Sequence, residues 1–161
     1  MTLTTNVNYL QPTGYKLVIN HKRFGNLQYF AQSVSHPNVS ISAAPVPFSR
    51  VNVHFGGDKL TFGELGASII LDEDMTAYTE IFNWVKFNVE NNNKVGSMTE
   101  QNSASDITVN VLSSNNNTLK SIRYHDCVPT DIGGVEFVST AADVQYLTFN
   151  VSFAFSYFEI V

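Results

Sequence analysis

The sequence has few charged residues and no cluster of basic ones. Only 14% of its 161 residues are Asp, Glu, Lys or Arg, and the formal net charge is −5. Soluble domains carry about 25% charged residues, so we expect other copies or a partner to cover part of this surface. Nucleic-acid binding through phosphates needs clustered Lys and Arg, whereas the nine present here are scattered. The composition therefore argues against a nucleic-acid-binding protein.

Cysteine and long apolar runs are also scarce. The single cysteine, Cys127, cannot form an internal disulfide, which is typical of a protein from a reducing compartment. No run of about 18 apolar residues exists, and the first residues have neither a basic nor an apolar signal region. We therefore expect no membrane segment and no targeting signal.

Apolar and aromatic residues are plentiful. The chain is 43% hydrophobic, with twelve Phe, seven Tyr and one Trp, which is enough for a packed core. Its length fits one domain. Residues 1–14 are mostly polar and end in Pro12-Thr13-Gly14, so we predict an N-terminal arm at 1–14 and a single β domain at 15–161.

β-formers, prolines and glycines divide the first half of the chain. The predicted segments are a strand at 15–20, a strand at 28–34 that forms a hairpin with it, a proline-bearing loop or strand edge at 35–49, a half-buried strand at 50–55, a turn at 56–58, and extended chain at 60–71.

One helix is predicted after Asp72, whose carboxylate can cap the free backbone donors of the first turn. Glu73 and Asp74 suit the positive end of the helix dipole. The helix is predicted to end at 91–93. Its buried stripe, from the spacing of three and four residues, is predicted to be Met75, Tyr78, Phe82, Val85 and Val89, widened by Ile81 and Trp84.

The second half is predicted to be strands joined by polar connections. An Asn- and Ser-rich connection spans 92–105, strands at 106–112 and 118–127 flank a turn, and a short strand carries Val135 and Phe137. From Leu147 to Tyr157 every second residue is apolar, which predicts one strand from Gln145 to Glu159, about 45 Å long. Such a strand is typical of a β-barrel or sandwich in which one side of the sheet faces solvent.

No constellation of residues indicates catalysis or a cofactor. The four histidines, His21, His36, His54 and His125, lie in separate segments without metal-ligand spacing. The run from Asp72 to Asp74 could hold a cation, but its place at a helix start explains it without chemistry. Cys127 follows Asp126, which would oppose thiolate formation. We predict no enzyme, no metal and no cofactor.

The order of these segments resembles the tail-tube proteins of contractile-tailed bacteriophages. The runs that carry the resemblance are 53–62, 70–74, 82–84 and 128–133, followed by the amphipathic C-terminus. None is diagnostic alone; their order and spacing carry the likeness over residues 15 to 158. The resemblance implies a mainly β protein with one α-helix, an antiparallel β-barrel or sandwich flanked by that helix.

The resemblance also implies a function. Copies of the chain would form hexameric rings whose inner sheets join, and the rings would stack into a hollow tube through which DNA passes during infection without specific binding. Sheath and baseplate proteins would be partners, and the tube would belong to the virion after assembly in the host cytoplasm. An acidic balance suits a conduit along which DNA slides.

The resemblance assigns roles to particular residues. The candidate channel-facing residues are Thr148, Asn150, Ser152 and Ser156. The candidate ring-stacking residues, in the proline-bearing loop, are Ser42, Pro45, Pro47 and Arg50. The residues expected to pack beneath the helix are Leu147, Phe149, Val151, Phe153 and Phe155.

Other functions of the same fold stay open. A baseplate tube initiator, a tail terminator and a secretion-system tube protein would share these features. A more remote alternative is a ligand-binding β-sandwich, with Tyr29, Phe30 and Tyr124 lining a pocket.

Overall fold

The computed structural model describes residues 10–20, 31–93, 104–139 and 146–161. Within them the chain forms nine strands and one helix. In chain order these are β1 Tyr15–Asn20, β2 Ala31–Ser35, β3 Val39–Phe48, β4 Val51–Phe62, β5 Leu65–Ile70, α1 Thr76–Asn93, β6 Ser105–Leu112, β7 Thr118–Ile132, β8 Thr148–Ala154 and β9 Tyr157–Ile160. The protein is mainly antiparallel β with a single helix, which confirms the expected fold class. Residues 1–9 lie outside the described residues, so the arm at 1–14 stays a prediction.

Seven strands form one antiparallel sheet in the order β1-β6-β7-β8-β5-β2, with β9 also paired to β7. The 15-residue β7 joins two parts of this sheet. Its first part pairs with β6 and β9, and its second part, residues 128–132, pairs with β8. Between them Asp126 has φ 56°, a left-handed conformation that kinks the strand. We call β2, β5, β8 and residues 128–132 the four-stranded half-sheet.

The sheet is not hydrogen-bonded into a closed barrel within the described residues. Its edges are β1 and β2, and across the seam between them the Tyr15 hydroxyl donates a hydrogen bond to the Gln32 carbonyl. The predicted hairpin of strands 15–20 and 28–34 is therefore wrong. β1 pairs with β6 and β2 pairs with β5, because each strand's apolar side chains join the same core as those of its partner.

Of the two alternatives for 35–49, the structure has the strand edge, since β3 and β4 form a two-stranded sheet, and the predicted turn at 56–58 is wrong, because those residues lie within β4. β3 contains Pro45 and Pro47, which a two-stranded ribbon tolerates because each strand has one unpaired edge. The register shifts beyond Ile41. Ser42 is packed so closely against Gly57 that a Cβ on the glycine would lie 2.5 Å from the Ser42 carbonyl oxygen. Every residue of β3 is exposed and so is each of residues 50–55, so the predicted half-burial of 50–55 is not observed.

The helix packs on the apolar side of the sheet through part of the predicted stripe. Its fully buried residues are Ala77, Ile81 and Trp84, and the Trp84 ring packs 5.9 Å from that of Phe153. The predicted stripe is wrong in part, since Phe82 is 52% exposed and Val89 is 56% exposed. Period alone could not choose between two apolar sides of one helix.

Two strand predictions near the C-terminus need correction. The single long strand predicted from 145 to 159 is broken at Phe155–Ser156, where β8 ends and β9 moves to the other part of β7. The kink at Asp126 requires this break, because the two parts of β7 diverge there. The short strand predicted around Val135 and Phe137 is absent, since residues 133–138 have no regular structure.

Candidate assembly surfaces

The half-sheet has one apolar side and one polar side. On β5 and β8 the alternate residues that point into the core are apolar and buried, as Ile69 and Phe149 show. Residues paired across antiparallel strands project to the same side. Ser33 lies opposite Ser68, and Ser68 lies opposite Asn150, so these three share the other side. We call this side the polar sheet face; its polar residues are Ser33, Ser35, Ser68, Asp131, Thr148, Asn150 and Ser152, and it also carries Gly66, Ile70 and Ala154.

This polar sheet face carries almost no charge. Asp131 is the one charged residue within β2, β5, β8 and 128–132, and these strands contain neither Lys nor Arg. The basic residues among the described parts of the chain lie elsewhere, at Lys16, Arg50, Lys59, Lys86, Lys120 and Arg123. The surface is therefore a lattice of short hydroxyl and amide side chains that offers a phosphate no cationic partner.

Three of the four candidate channel-facing residues lie together on this face. Thr148 and Asn150 are exposed, and Ser152 is half-buried with its carbonyl accepting a hydrogen bond of 3.1 Å from the Thr130 hydroxyl. Ser156 lies apart, at the break after β8, where its N–H donates to the His125 carbonyl over 3.0 Å. Sequence reasoning missed the serines of β2 and β5. The alternation of small and apolar residues at 65–70 was the signal that could have found Ser68.

A second surface is the β3–β4 hairpin. Opposed pairs from Ala44–Phe55 to Phe48–Val51 alternate between its two sides. One side, which we call the hairpin face, consists of Ala44, Val46, Phe48, Val51, Val53 and Phe55. The opposite side carries Pro45, Pro47, Asn52 and His54. The large residues of the hairpin face are between 41% and 70% exposed. At the size of apolar side chains this is a patch of several hundred Å², near the upper end for a monomer.

The candidate ring-stacking residues all belong to this hairpin but not to its apolar face. Pro45 and Pro47 are on the opposite side, and Ser42 occupies the register shift beside Gly57. Arg50 is exposed at the tip, next to Ser49, whose φ of 56° closes the turn. The residues that sequence reasoning missed are the apolar ones, since it had placed Val51, Val53 and Phe55 in a half-buried strand and residues 44–48 in the proline-bearing loop or strand edge.

The root of the hairpin is fixed to the body of the domain by aromatic contacts. The Phe62 ring, at the end of β4, lies 5.7 Å from Phe155 and 5.5 Å from Phe158. Just before β3, His36 Nδ1 lies 2.6 Å from the hydroxyl of Tyr124, which is fully buried. Burial raises the pKa of Tyr124, so its hydroxyl stays protonated. The hairpin therefore projects from a rigid base.

Asp72 lies four residues before the helix begins at Thr76 and contacts its first turn. The N–H of Ala77 donates to Asp72 Oδ1 over 3.4 Å. Burial alone would raise the pKa of this carboxyl, but hydrogen bonds from the Thr76 side chain and from backbone N–H groups outweigh it and lower the pKa. Its carboxylate thus serves the helix's unpaired donors, and Met75, with φ 51°, makes the turn between them.

Among the described residues we find neither a metal-binding group nor a reactive thiol. Across the described ranges no group of three or more His, Cys, Asp or Glu side chains could hold a metal ion. Cys127 is fully buried, and burial raises the pKa of its thiol to about 12, so it is unreactive at neutral pH. Tyr124 is in the core, while Tyr29 and Phe30 lie outside the described residues. In the described part of the chain no helix is long and apolar enough to cross a membrane.

No protein-family model and no curated protein matches this sequence. Solved structures do match its fold. The sheath/tube terminator of an extracellular contractile injection system, PVC, aligns with a TM-score of 0.68 at 14% identity, covering 97% of this chain and 99% of that one. A chain of the tube-terminating cap of the anti-feeding prophage aligns with a TM-score of 0.69 at 15% identity, covering 100% and 99%.

An Hcp protein also aligns, with a TM-score of 0.52 at 10% identity and 88% of each chain covered. Identities this low show a common fold and no more. The chain has the fold of the tube and terminator proteins of contractile injection systems and of secretion-system tube proteins.

Proposed function

We propose that this chain is a structural subunit of a contractile phage tail tube, in which hexameric rings stack around a channel for DNA. The observation that carries the proposal is the hairpin face. A soluble monomer gains nothing from several large apolar side chains on a rigid projecting ribbon, whereas an assembling subunit buries them against its neighbour. The fold shared with tube and terminator proteins supports the same conclusion.

In the proposed tube, the four-stranded half-sheet forms the wall of the channel. Its core side packs on the helix, and its polar sheet face is free to line a lumen. In the ring, the half-sheets of six copies lie side by side, with the exposed edges of each satisfied by its neighbours. Thr148, Asn150 and Ser152 face the channel. A wall without Lys or Arg does not hold phosphates, so DNA slides past it.

The outside of such a tube meets other proteins of the tail. We propose sheath and baseplate proteins as these partners, with the assembled tube in the virion. The proposed role needs no catalysis, and the chain acts only through its surfaces. The ring-stacking contacts are assigned to the side of the hairpin that carries Pro45 and Pro47, which is opposite the apolar face buried against the neighbour in the ring.

Electron microscopy and light scattering over a concentration series test this function. The wild-type protein is expected to form six-fold rings or hollow tubes. Val53→Asp places a charge on the hairpin face and should abolish them. Asn52→Asp places the same charge one residue away on the opposite side and should leave the six-fold rings intact. Circular dichroism verifies that both variants fold. A wild-type protein that stays monomeric at every concentration would refute the proposal.

The same images separate the tube subunit from the tail terminator. A tube subunit stacks without limit, so tubes lengthen with concentration, whereas a terminator closes a tube end and forms single rings that do not stack. Two of the three structures compared above come from terminator assemblies, which makes this distinction the first one to examine.

A further inference from the structure

The helix has an apolar stripe that its own domain covers only in part: Tyr78 and Val85 pack against the edge of the core, and the Tyr78 ring lies 5.4 Å from that of Phe149. Tyr78, Phe82, Val85 and Val89 lie on one side of α1, roughly a quarter turn from the buried side. Phe82 and Val89 are more than half exposed, and the other two are half-buried. We call these four residues the helix stripe. Neither the core packing of the helix nor its cap explains exposed apolar residues two turns apart.

A cyclic ring provides a reason for two separate apolar patches on one chain. Each subunit of a ring contacts one neighbour through one surface and the other neighbour through a second surface, and the two surfaces must be complementary. The hairpin face and the helix stripe are two such surfaces. Resting on the proposed ring assembly, we infer that the hairpin face of one copy docks on the helix stripe of the next copy.

The two surfaces match in length. The hairpin face runs from Ala44 to Phe48, which at about 3.4 Å per residue spans roughly 14 Å. The helix stripe runs from Tyr78 to Val89, which at 1.5 Å per residue spans roughly 16 Å. A ribbon of two strands laid along the stripe covers all four of its residues.

Charge fixes the direction of docking. The C-terminal end of a helix carries partial negative charge, and this helix has no basic residue in its last turn to balance it. Glu90, which is 57% exposed and pairs only loosely with Lys86 at 3.7 Å, adds to that charge. The hairpin tip carries the exposed cation Arg50. The tip therefore lies over the C-terminal end of the neighbour's helix, and Phe55 lies over its N-terminal half.

The hairpin does not make this contact within its own chain. Its root is fixed against Phe155 and Phe158, and its face remains exposed in the single chain. Docking of two hairpins on each other would be a symmetric contact that makes pairs and not rings. The neighbour's helix is thus the contact that satisfies both patches and still closes a ring.

Cysteine cross-linking between two variants tests this contact. Val51→Cys and Val89→Cys are prepared separately, mixed under assembly conditions and exposed to a mild oxidant. The native Cys127 is fully buried, so it adds no background. Asn83→Cys, exposed on another side of the same helix, replaces Val89→Cys in the control mixture. Tyr78→Cys replaces it in a second mixture, which tests direction, because a disulfide requires Cα atoms within about 7 Å.

We expect a covalent dimer in the Val51→Cys and Val89→Cys mixture, several-fold above either variant alone and above both other mixtures. Rings visible in the microscope with no excess of this dimer would overturn the docking assignment and leave the proposed function standing. Cross-linking of Val51→Cys with itself to the same extent would also overturn it. A protein that neither assembles nor cross-links at any concentration would refute both.

Discussion

Two substitutions that break the hydrogen bond between Tyr124 and His36, at the root of the hairpin, should lower the free energy of unfolding by unequal amounts. Tyr124→Phe removes a hydroxyl group whose hydrogen-bond partner is Nδ1 of His36. Because His36 is exposed, its Nδ1 can bind water instead. A hydrogen bond of this kind contributes about 0.5–1.5 kcal/mol net, so we expect a loss near 1 kcal/mol. The ring contacts with Phe155 at 5.1 Å and Phe158 at 5.7 Å remain.

His36→Leu breaks the same bond from the other side and should cost more. It keeps apolar volume beside Phe158 but leaves the Tyr124 hydroxyl fully buried without this partner. A buried polar group left unpaired costs about 1–3 kcal/mol. The double variant removes the orphaned hydroxyl, so its loss should be smaller than the sum of the two single losses.

Urea unfolding at concentrations below assembly measures these losses. The midpoint should fall while the slope stays constant, because the surface exposed on unfolding is unchanged. Trypsin cleavage after Arg50 should accelerate in both single variants if the bond fixes the hairpin. Equal losses for Tyr124→Phe and His36→Leu, or a larger loss for Tyr124→Phe, would refute the account of burial at this bond.

Three further predictions concern other positions. Gly57→Ala should disrupt the hairpin and assembly, because its Cβ would meet the Ser42 carbonyl at 2.5 Å, whereas Gly56→Ala meets only a side-chain methyl at 3.8 Å and should assemble normally in the microscope. Burial raises the pKa of Cys127 from 9.0 to about 12. The stability that its neutral thiol contributes to the folded state is therefore fully present below pH 9 and is lost as the pH rises toward 12. Cys127→Ala should therefore flatten the alkaline decline in unfolding free energy by up to ~1.4 kcal/mol per pH unit; an unchanged slope contradicts this. Asp72→Ala should cost about 1 kcal/mol at pH 7. Because the pKa of Asp72 is lowered, that difference should shrink in urea titrations as the pH falls through and below 3.8; a constant difference contradicts it.

The sequence predicted those elements whose pattern reflects burial on one side. The alternation at 148–154 identified the core residues Phe149, Val151 and Phe153, and all three are buried. β1 has the predicted bounds Tyr15–Asn20, and the turn at 113–117 joins two strands as expected. Pairing was not predictable in the same way. β1 joins β6 across about ninety residues, and no local pattern specifies a partner so distant.

The hairpin shows why assembly surfaces are misassigned from sequence. Val51, Val53 and Phe55 alternate with polar residues, which in a single chain indicates a half-buried strand. The alternation is real, but the buried side belongs to the proposed neighbour and not to the chain's own core. The same ambiguity made the predicted helix stripe too wide, because Phe82 and Val89 satisfy the helical period as well as Ile81 does.

Separation of the core from these surfaces makes folding and assembly independently testable. The core is formed by the sheet's apolar side and by Ala77, Ile81 and Trp84, and it includes no residue of the hairpin face, although Tyr78 and Val85 of the helix stripe pack against it. Exposed apolar side chains contribute little to the stability of the monomer, since they remain in water when the chain folds. A charge placed on Val53 should therefore abolish rings while leaving the monomer's free energy of unfolding, measured in urea, within about 0.5 kcal/mol of wild type. If Val53→Asp unfolds the monomer instead, the hairpin is part of the domain's own stability, and its exposure no longer indicates a neighbour.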